Sequence, residues 1–296
     1  MLNKQVMSFN TFEETVETVE RKAYVGAKES NSVVEYIGFN SPKETVEVVN
    51  HTAEAKRDTA SKKVFVLAIL AGGYIAMGSL LALIVGGAMP GLAQTNPGLQ
   101  KFFFGAVFPL GLILCAVAGA ELFTGNTAYF IPSVLSKRMS VKVPLKNWAI
   151  VYVGNFIGSI IVAYFLVYLT EVIMHSPSMD SAIKIAIAKT SNPFYKTFLK
   201  GIACNWMVAL AMWLAYAAKD ITGKILGIWF PVMAFVAMGF EHCVANMFFI
   251  PVAIFHGADI TWMDFIVKNL IPATLGNIVG GGLFVGTAYW YTYDKK

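Results

Sequence analysis

Charge is what this sequence has least of. Of its 296 residues only 14% are Asp, Glu, Lys or Arg, against roughly 25% in a typical soluble domain, while 56% are hydrophobic and the mean hydropathy is +0.60. A soluble core alone does not account for that balance. Cysteine is scarce as well: Cys115, Cys204 and Cys243 all fall inside apolar runs, with the spacing of neither a zinc site nor a disulfide framework. The first 60 residues hold no apolar stretch, so no cleavable signal is expected and insertion must be directed by the first apolar segment. The formal charge of +5 lies between apolar segments and forms no basic face interleaved with aromatics, which excludes nucleic acid as a partner. A haem-bearing or other cofactor-binding membrane subunit would need paired intramembrane histidines. Only His242 sits inside an apolar segment, since His51 precedes them and His175 and His256 lie at segment ends, so no cofactor and no enzymatic role is expected.

What is present is a polar stretch, residues 1–63, followed by six apolar windows between residues 64 and 296. A hydrocarbon core about 30 Å thick requires about 20 mostly apolar residues per helix. The windows run from Val64 to Ala88, Phe102 to Leu135, Trp148 to Met174, Phe198 to Ala218, Ile225 to Phe255 and Phe265 to Tyr291. The second and fifth exceed one span and carry polar interruptions, Gly119 to Asn126 and Gly239 to Asn246, so both are expected to be broken helices. Lys and Arg crowd one set of flanks (Lys56, Arg57, Lys62 and Lys63; Lys137, Arg138, Lys142 and Lys146; Lys219 and Lys224; Lys295 and Lys296), whereas Met89 to Gln100 is chargeless. By the positive-inside rule both termini are expected to be cytoplasmic, in a cell membrane.

The apolar region repeats itself. Gly119, Glu121 and Asn126 spell G-x-E-x4-N, and Gly239, Glu241 and Asn246 spell it again. Asn147, Gly154, Asn155 and Gly158 recur as Asn269, Gly276, Asn277 and Gly280. Repeats of three spans each must enter the membrane from opposite sides, which predicts an all-α membrane protein of two inverted three-helix halves. The glycines at four-residue spacing are expected to let the third and sixth segments approach closely. The polar stretch is also duplicated, with capping boxes at Thr11–Glu14 and Ser41–Glu44, and Pro42 suits a first helical position.

Interrupted backbone at membrane depth is tolerated only where protein or a water-filled cavity satisfies it, so the matched breaks mark a translocation path. Their polar members are Glu121, Thr124, Asn126, Glu241, His242 and Asn246. The two carboxylates and two carboxamides are read as braces of the broken turns. His242 is the sharpest candidate, because an imidazole exchanges protons near neutrality. Lys189 lies in the connector Ile183 to Lys196 among other lysines, where a solvated loop charge is the default.

The strings Ala118-Gly-Ala-Glu-Leu-Phe-Thr124, Gly239-Phe-Glu-His-Cys-Val-Ala-Asn-Met247 and Thr274-Leu-Gly-Asn-Ile-Val-Gly280 closely resemble the formate/nitrite transporter family, over residue 38 to the end. The resemblance implies an aquaporin-like fold without aquaporin Asn-Pro-Ala boxes, a homopentamer with one pore per subunit, and passage of small monovalent anions: formate first, with nitrite, hydrosulfide, acetate or lactate as alternatives. It places Leu122 and Thr124 on a mobile loop and His242 at the centre of the pore. It makes Phe108, Leu112 and Phe235 hydrophobic constrictions, and Lys189, Asn205 and Asn277 polar pore and vestibule positions. Cys243 stands where serine is also common in that family.

Overall fold

The computed structural model describes residues 38–295, which form one compact unit beginning at Gly38. The first capping box, Thr11–Glu14, lies outside the described residues; the second is present. Ser41 Oγ accepts the Glu44 N–H and the Glu44 carboxylate accepts the Ser41 N–H at 2.7 Å, with Pro42 at the first helical position of α1 (Pro42–Asp58). This helix buries Val46, Val49 and Ala53 on one face and pairs Glu47 with both guanidinium nitrogens of Arg138, at 2.8 and 3.0 Å, on another.

Among the described residues, five helices are long and apolar enough to cross a membrane: α2 (Ser61–Gly87), α4 (Pro97–Val117), α6 (Lys142–Tyr168), α8 (Phe194–Ala217) and α11 (Trp262–Tyr293). The short helix α3 (Pro90–Thr95) and the amphipathic α7 (Pro177–Thr190) connect them. The second crossing continues from α4 into α5 (Phe123–Leu135), and the remaining one is divided into α9 (Ile221–Ala237) and α10 (Cys243–Phe255). The six expected segments are therefore all present, with the second and fifth broken.

Their boundaries differ from the hydropathy windows. Helices begin several residues earlier, because Lys62, Lys63, Lys142 and Lys146 sit within the first turns, where long cationic side chains reach the interface and the backbone stays helical. The third ends at Tyr168, not Met174, since positive φ at Glu171 and His175 turns the chain away. Lys189 is on α7, not in an irregular connector.

The glycine repeat acts within each half. A Cβ on Gly158 would stand 1.9 Å from the Ile69 carbonyl of α2, and one on Gly276 or Gly280 would stand 2.2 or 2.3 Å from the Phe198 or Ile202 carbonyl of α8. The third span is thus packed on the first and the sixth on the fourth, which corrects the expected contact of the third with the sixth. The ends of α1, α5, α8 and α11 gather on one face: Asp294 accepts from Ser136 Oγ at 2.6 Å and from Asn50 at 3.2 Å, and the Asn40 N–H donates to the Ala217 carbonyl at 2.7 Å.

Candidate conduit and its two helix breaks

Each break opens with a glycine only that residue fits comfortably, Gly119 at φ +82° and Gly239 at φ +72°. The following N–H groups, of Ala120 and Phe240, reach back to the carbonyls of Cys115 at 2.8 Å and Phe235 at 3.1 Å, closing the helices in the same left-handed cap. Two non-helical residues then cross to the next helix, the second of them, Leu122 or His242, extended. Glu121 donates its N–H to the Leu67 carbonyl of α2 at 3.2 Å, and Glu241 donates to the Lys200 carbonyl of α8 at 3.3 Å.

The side chains repeat the pattern. Asn126 Nδ2 donates to the Glu121 carboxylate at 2.7 Å and to Asn147 Oδ1 at 2.8 Å; Asn246 Nδ2 donates to the Glu241 carboxylate and to Asn269 Oδ1, both at 2.7 Å. Asn155 Oδ1 accepts the Phe123 N–H and Asn277 Oδ1 accepts the Cys243 N–H, each at 2.9 Å, so each second half-helix has its first free amide occupied by a side chain from another span. Glu121 receives Lys56 Nζ at 2.5 Å and Glu241 receives Lys189 Nζ at 2.8 Å. The carboxylates are 9% and 2% exposed, so each buried charge meets an opposite charge and amide donors, the condition under which a charge persists away from water.

Lys56 is the residue sequence reasoning missed. In the sequence it is one of the interfacial charges, because α1 precedes the first apolar window. Yet it is the counterpart of Lys189: each sits near the C-terminus of the helix that leads into the first span of its half. The partners are 65 residues apart in one half and 52 in the other, so no fixed-spacing motif shows it.

The halves diverge where Leu122 and His242 take the same role, the residue just before the second half-helix, with φ, ψ of −103°, 125° and −100°, 112°. Leu122 offers no cap. His242 Nδ1 accepts the Ala245 N–H at 3.0 Å, so the proton of a neutral ring lies on Nε2, which reaches Thr124 Oγ1 at 3.0 Å. Thr124 is in the first turn of α5 and is not on a loop; the break itself is the short stretch before Phe123.

Two cavities approach this point from opposite sides. One, of about 220 Å³, is lined by Lys56, Leu112, Cys115, Glu121, Leu122, Asn126, Tyr129 and Lys224, among others. The other, of about 340 Å³, is lined by Gln100, Lys101, Phe104, Phe108, Lys189, Phe235, His242, Asn246 and Phe249, among others. Between them the apolar side chains of Phe108, Leu112, Leu122 and Phe235 are buried. Phe235 stacks on the His242 ring and meets Phe108 edge to face, each with centroids 5.9 Å apart.

Thr124, Asn205 and Asn277 are fully buried and line neither cavity. Asn205 Nδ2 ties Thr127 Oγ1 at 2.8 Å to the carbonyls of Asn277 and Thr124 at 2.6 and 3.1 Å. Asn277 Nδ2 donates to the carbonyls of Gly201 and Glu241, both at 2.8 Å. The resemblance makes them polar lining positions; here both are engaged with backbone. Among the described residues no group of His, Cys, Asp and Glu is arranged to hold a metal ion.

A broken six-helix bundle with inverted halves and a closed waist between two cavities of about 220 and 340 Å³ defines a membrane transport protein. The sequence pattern of the formate/nitrite transporter family matches residues 43–291, and the chain belongs to that family. A "probable formate transporter" of Methanothermobacter thermautotrophicus is 47% identical over 272 residues, covering 87% of this chain and 98% of that protein. A formate channel of Bacillus thuringiensis is 38% identical over 260 residues, covering 88% and 98%. Among solved structures, a pentameric formate channel with formate bound superposes with a TM-score of 0.70 at 38% identity over 80% of this chain and 98% of the other. A formate/nitrite transporter family ion channel superposes at 0.77 with 31% identity, covering 84% and 98%.

Proposed function

We propose that this protein is a homopentameric channel for small monovalent anions, formate foremost, with one conduit in each subunit and both termini on the cytoplasmic side. The observation that carries the reading is the waist: His242, donating to Thr124 and stacked on Phe235, stands where two cavities meet an apolar seal. The relatives named for formate, and the pentameric neighbour with formate bound, supply the substrate and the assembly.

In this reading a vestibular anion accepts hydrogen bonds from Lys56 or Lys189, whose ammonium groups keep donors beyond the one given to Glu121 or Glu241. A bare anion meets a steep desolvation cost between Phe108, Leu112, Leu122 and Phe235, and the neutral acid a much smaller one. The anion therefore takes a proton from hydronium in the vestibule, releasing water, before the seal. The fixed Nε2–H of His242, with the Thr124 hydroxyl, holds the small polar solute while it passes. Glu121, Glu241, Asn126, Asn246, Asn205 and Asn277 hold the backbone that places these two groups.

The test is formate flux in proteoliposomes with and without an inward proton gradient, alongside a competition series of nitrite, hydrosulfide, acetate and lactate. Formate flux that rises with the gradient is expected. Undiminished flux in His242→Phe would remove the histidine from the mechanism, and flux of another anion well above that of formate would reassign the substrate.

A further inference from the structure

The lysines nearest the waist are not the ones that give the cavities their net charge. Lys56 is bound to Glu121 at 2.5 Å and Lys189 to Glu241 at 2.8 Å, so each presents a dipole whose field fades within a few ångströms. Each cavity has one further cationic lining residue, Lys224 of α9 in the smaller and Lys101 of α4 in the larger. Among the described residues neither forms an ion pair. The acid closest to Lys224 in sequence, Asp220, has a carboxylate oxygen occupied by the Gly223 N–H at 2.8 Å.

We propose that Lys224 and Lys101 are the anion-attracting charges of the two mouths, one for each side of the membrane, and that Lys56 and Lys189 act only as short-range donors deeper in. This rests on the anion-channel reading above. The two residues are not inherited from the repeat. The breaks align at an offset of 120 (Gly239 against Gly119), which puts Lys224 opposite Phe104 and Lys101 opposite Ile221, so each mouth has gained its cation separately. A net positive charge beside a narrow low-dielectric passage raises the local anion concentration and falls away as salt screens it.

The test is formate current through the purified protein in planar bilayers, delivered from one chamber, with orientation read by labelling a Ser140→Cys background. At about 10 mM ionic strength, where the screening length is about 30 Å, Lys224→Gln is expected to lower the current of anions moving in from the α1 side by about two- to threefold. It leaves the opposite direction near wild type. Lys101→Gln gives the mirror rectification, Lys224→Arg keeps wild-type behaviour, and both asymmetries vanish at about 1 M. Losses equal in both directions, losses that persist at high salt, or no change at low salt would overturn the assignment. A wild-type protein that carries no formate current would instead overturn the functional reading itself.

Discussion

His242 performs two tasks that can be separated. Its Nδ1 caps α10 through Ala245, and its Nε2 reaches Thr124. Loss of a good N-cap costs about 1 kcal/mol, so His242→Ala should lower thermal stability by about that amount and also impair flux. Asn is a strong capping residue without a ring to lie on Phe235, so His242→Asn should melt within ~0.5 kcal/mol of wild type while formate flux falls. Equal flux in the two proteins would show that the imidazole serves only as a cap. The pairs at the breaks are of a different order. Glu241 is 2% exposed and Lys189 15%, and removing one partner of such a pair leaves a buried charge unmatched, typically at about 3–5 kcal/mol. Lys189→Met should therefore destabilise the detergent-solubilised protein strongly, and Lys189→Met with Glu241→Gln should recover a large part of the loss; melting temperatures of the single and double variants measure it.

At the scale of elements, helix approach within each half is set by glycine. Gly158 meets the Ile69 carbonyl with no room for a methyl group, whereas a Cβ on Gly73, on the facing helix, would touch only Val162 Cγ2 at an ordinary 3.7 Å and the Gly158 carbonyl at 4.0 Å. Gly158→Ala is expected to cost about 1–3 kcal/mol or more and Gly73→Ala little, a contrast readable in paired thermal melts. The docking of α1 has its own signature. The Arg138 guanidinium, through its hydrogen bonds, holds the Glu47 carboxyl below the usual carboxylate range. A group with a lowered folded value contributes fully above its unfolded pKa, near 4.5 here, and loses that contribution as pH falls through the folded one. Protection of the α1 amides should thus fall only below about pH 4.5, and Arg138→Gln should lower that protection already at neutral pH and flatten its acid dependence. Much of this was legible in the residues. The paired G-x-E-x4-N strings located both breaks, because a left-handed turn requires glycine and a buried carboxylate requires amide donors close in sequence. The ion pairs were not legible, since Lys56 and Lys189 reach their partners across the fold from helices lying outside the apolar windows. For the same reason Lys189 resembled a loop charge, and the glycine rows gave a close contact without naming the helix on the other side.

For the whole molecule the arrangement of ends decides sidedness. The ends of α1, α5, α8 and α11 are joined by Asp294, Ser136, Asn50, Arg138 and the Asn40–Ala217 backbone bond, so they must share one face of the membrane. That face carries Lys137, Arg138, Lys142, Lys146, Lys219 and Lys224, while the connector from Met89 to Gln100 on the opposite face is chargeless. Short cationic connectors stay on the cytoplasmic side during insertion, which is the ground for the proposal that the α1 side is internal and the α7 side external. The native cysteines suit a labelling test, because Cys115, Cys204 and Cys243 are at most 4% exposed and a bulky maleimide will not reach them. Ser140→Cys, in the connector after α5, and Gly98→Cys, in the exposed first turn of α4, place one thiol on each face. In intact cells an impermeant maleimide is expected to label Gly98→Cys and to spare Ser140→Cys until the cells are permeabilised. The reverse pattern would invert the topology and, with it, exchange the sides on which Lys56 and Lys189 receive the solute, while leaving the internal symmetry of the conduit intact.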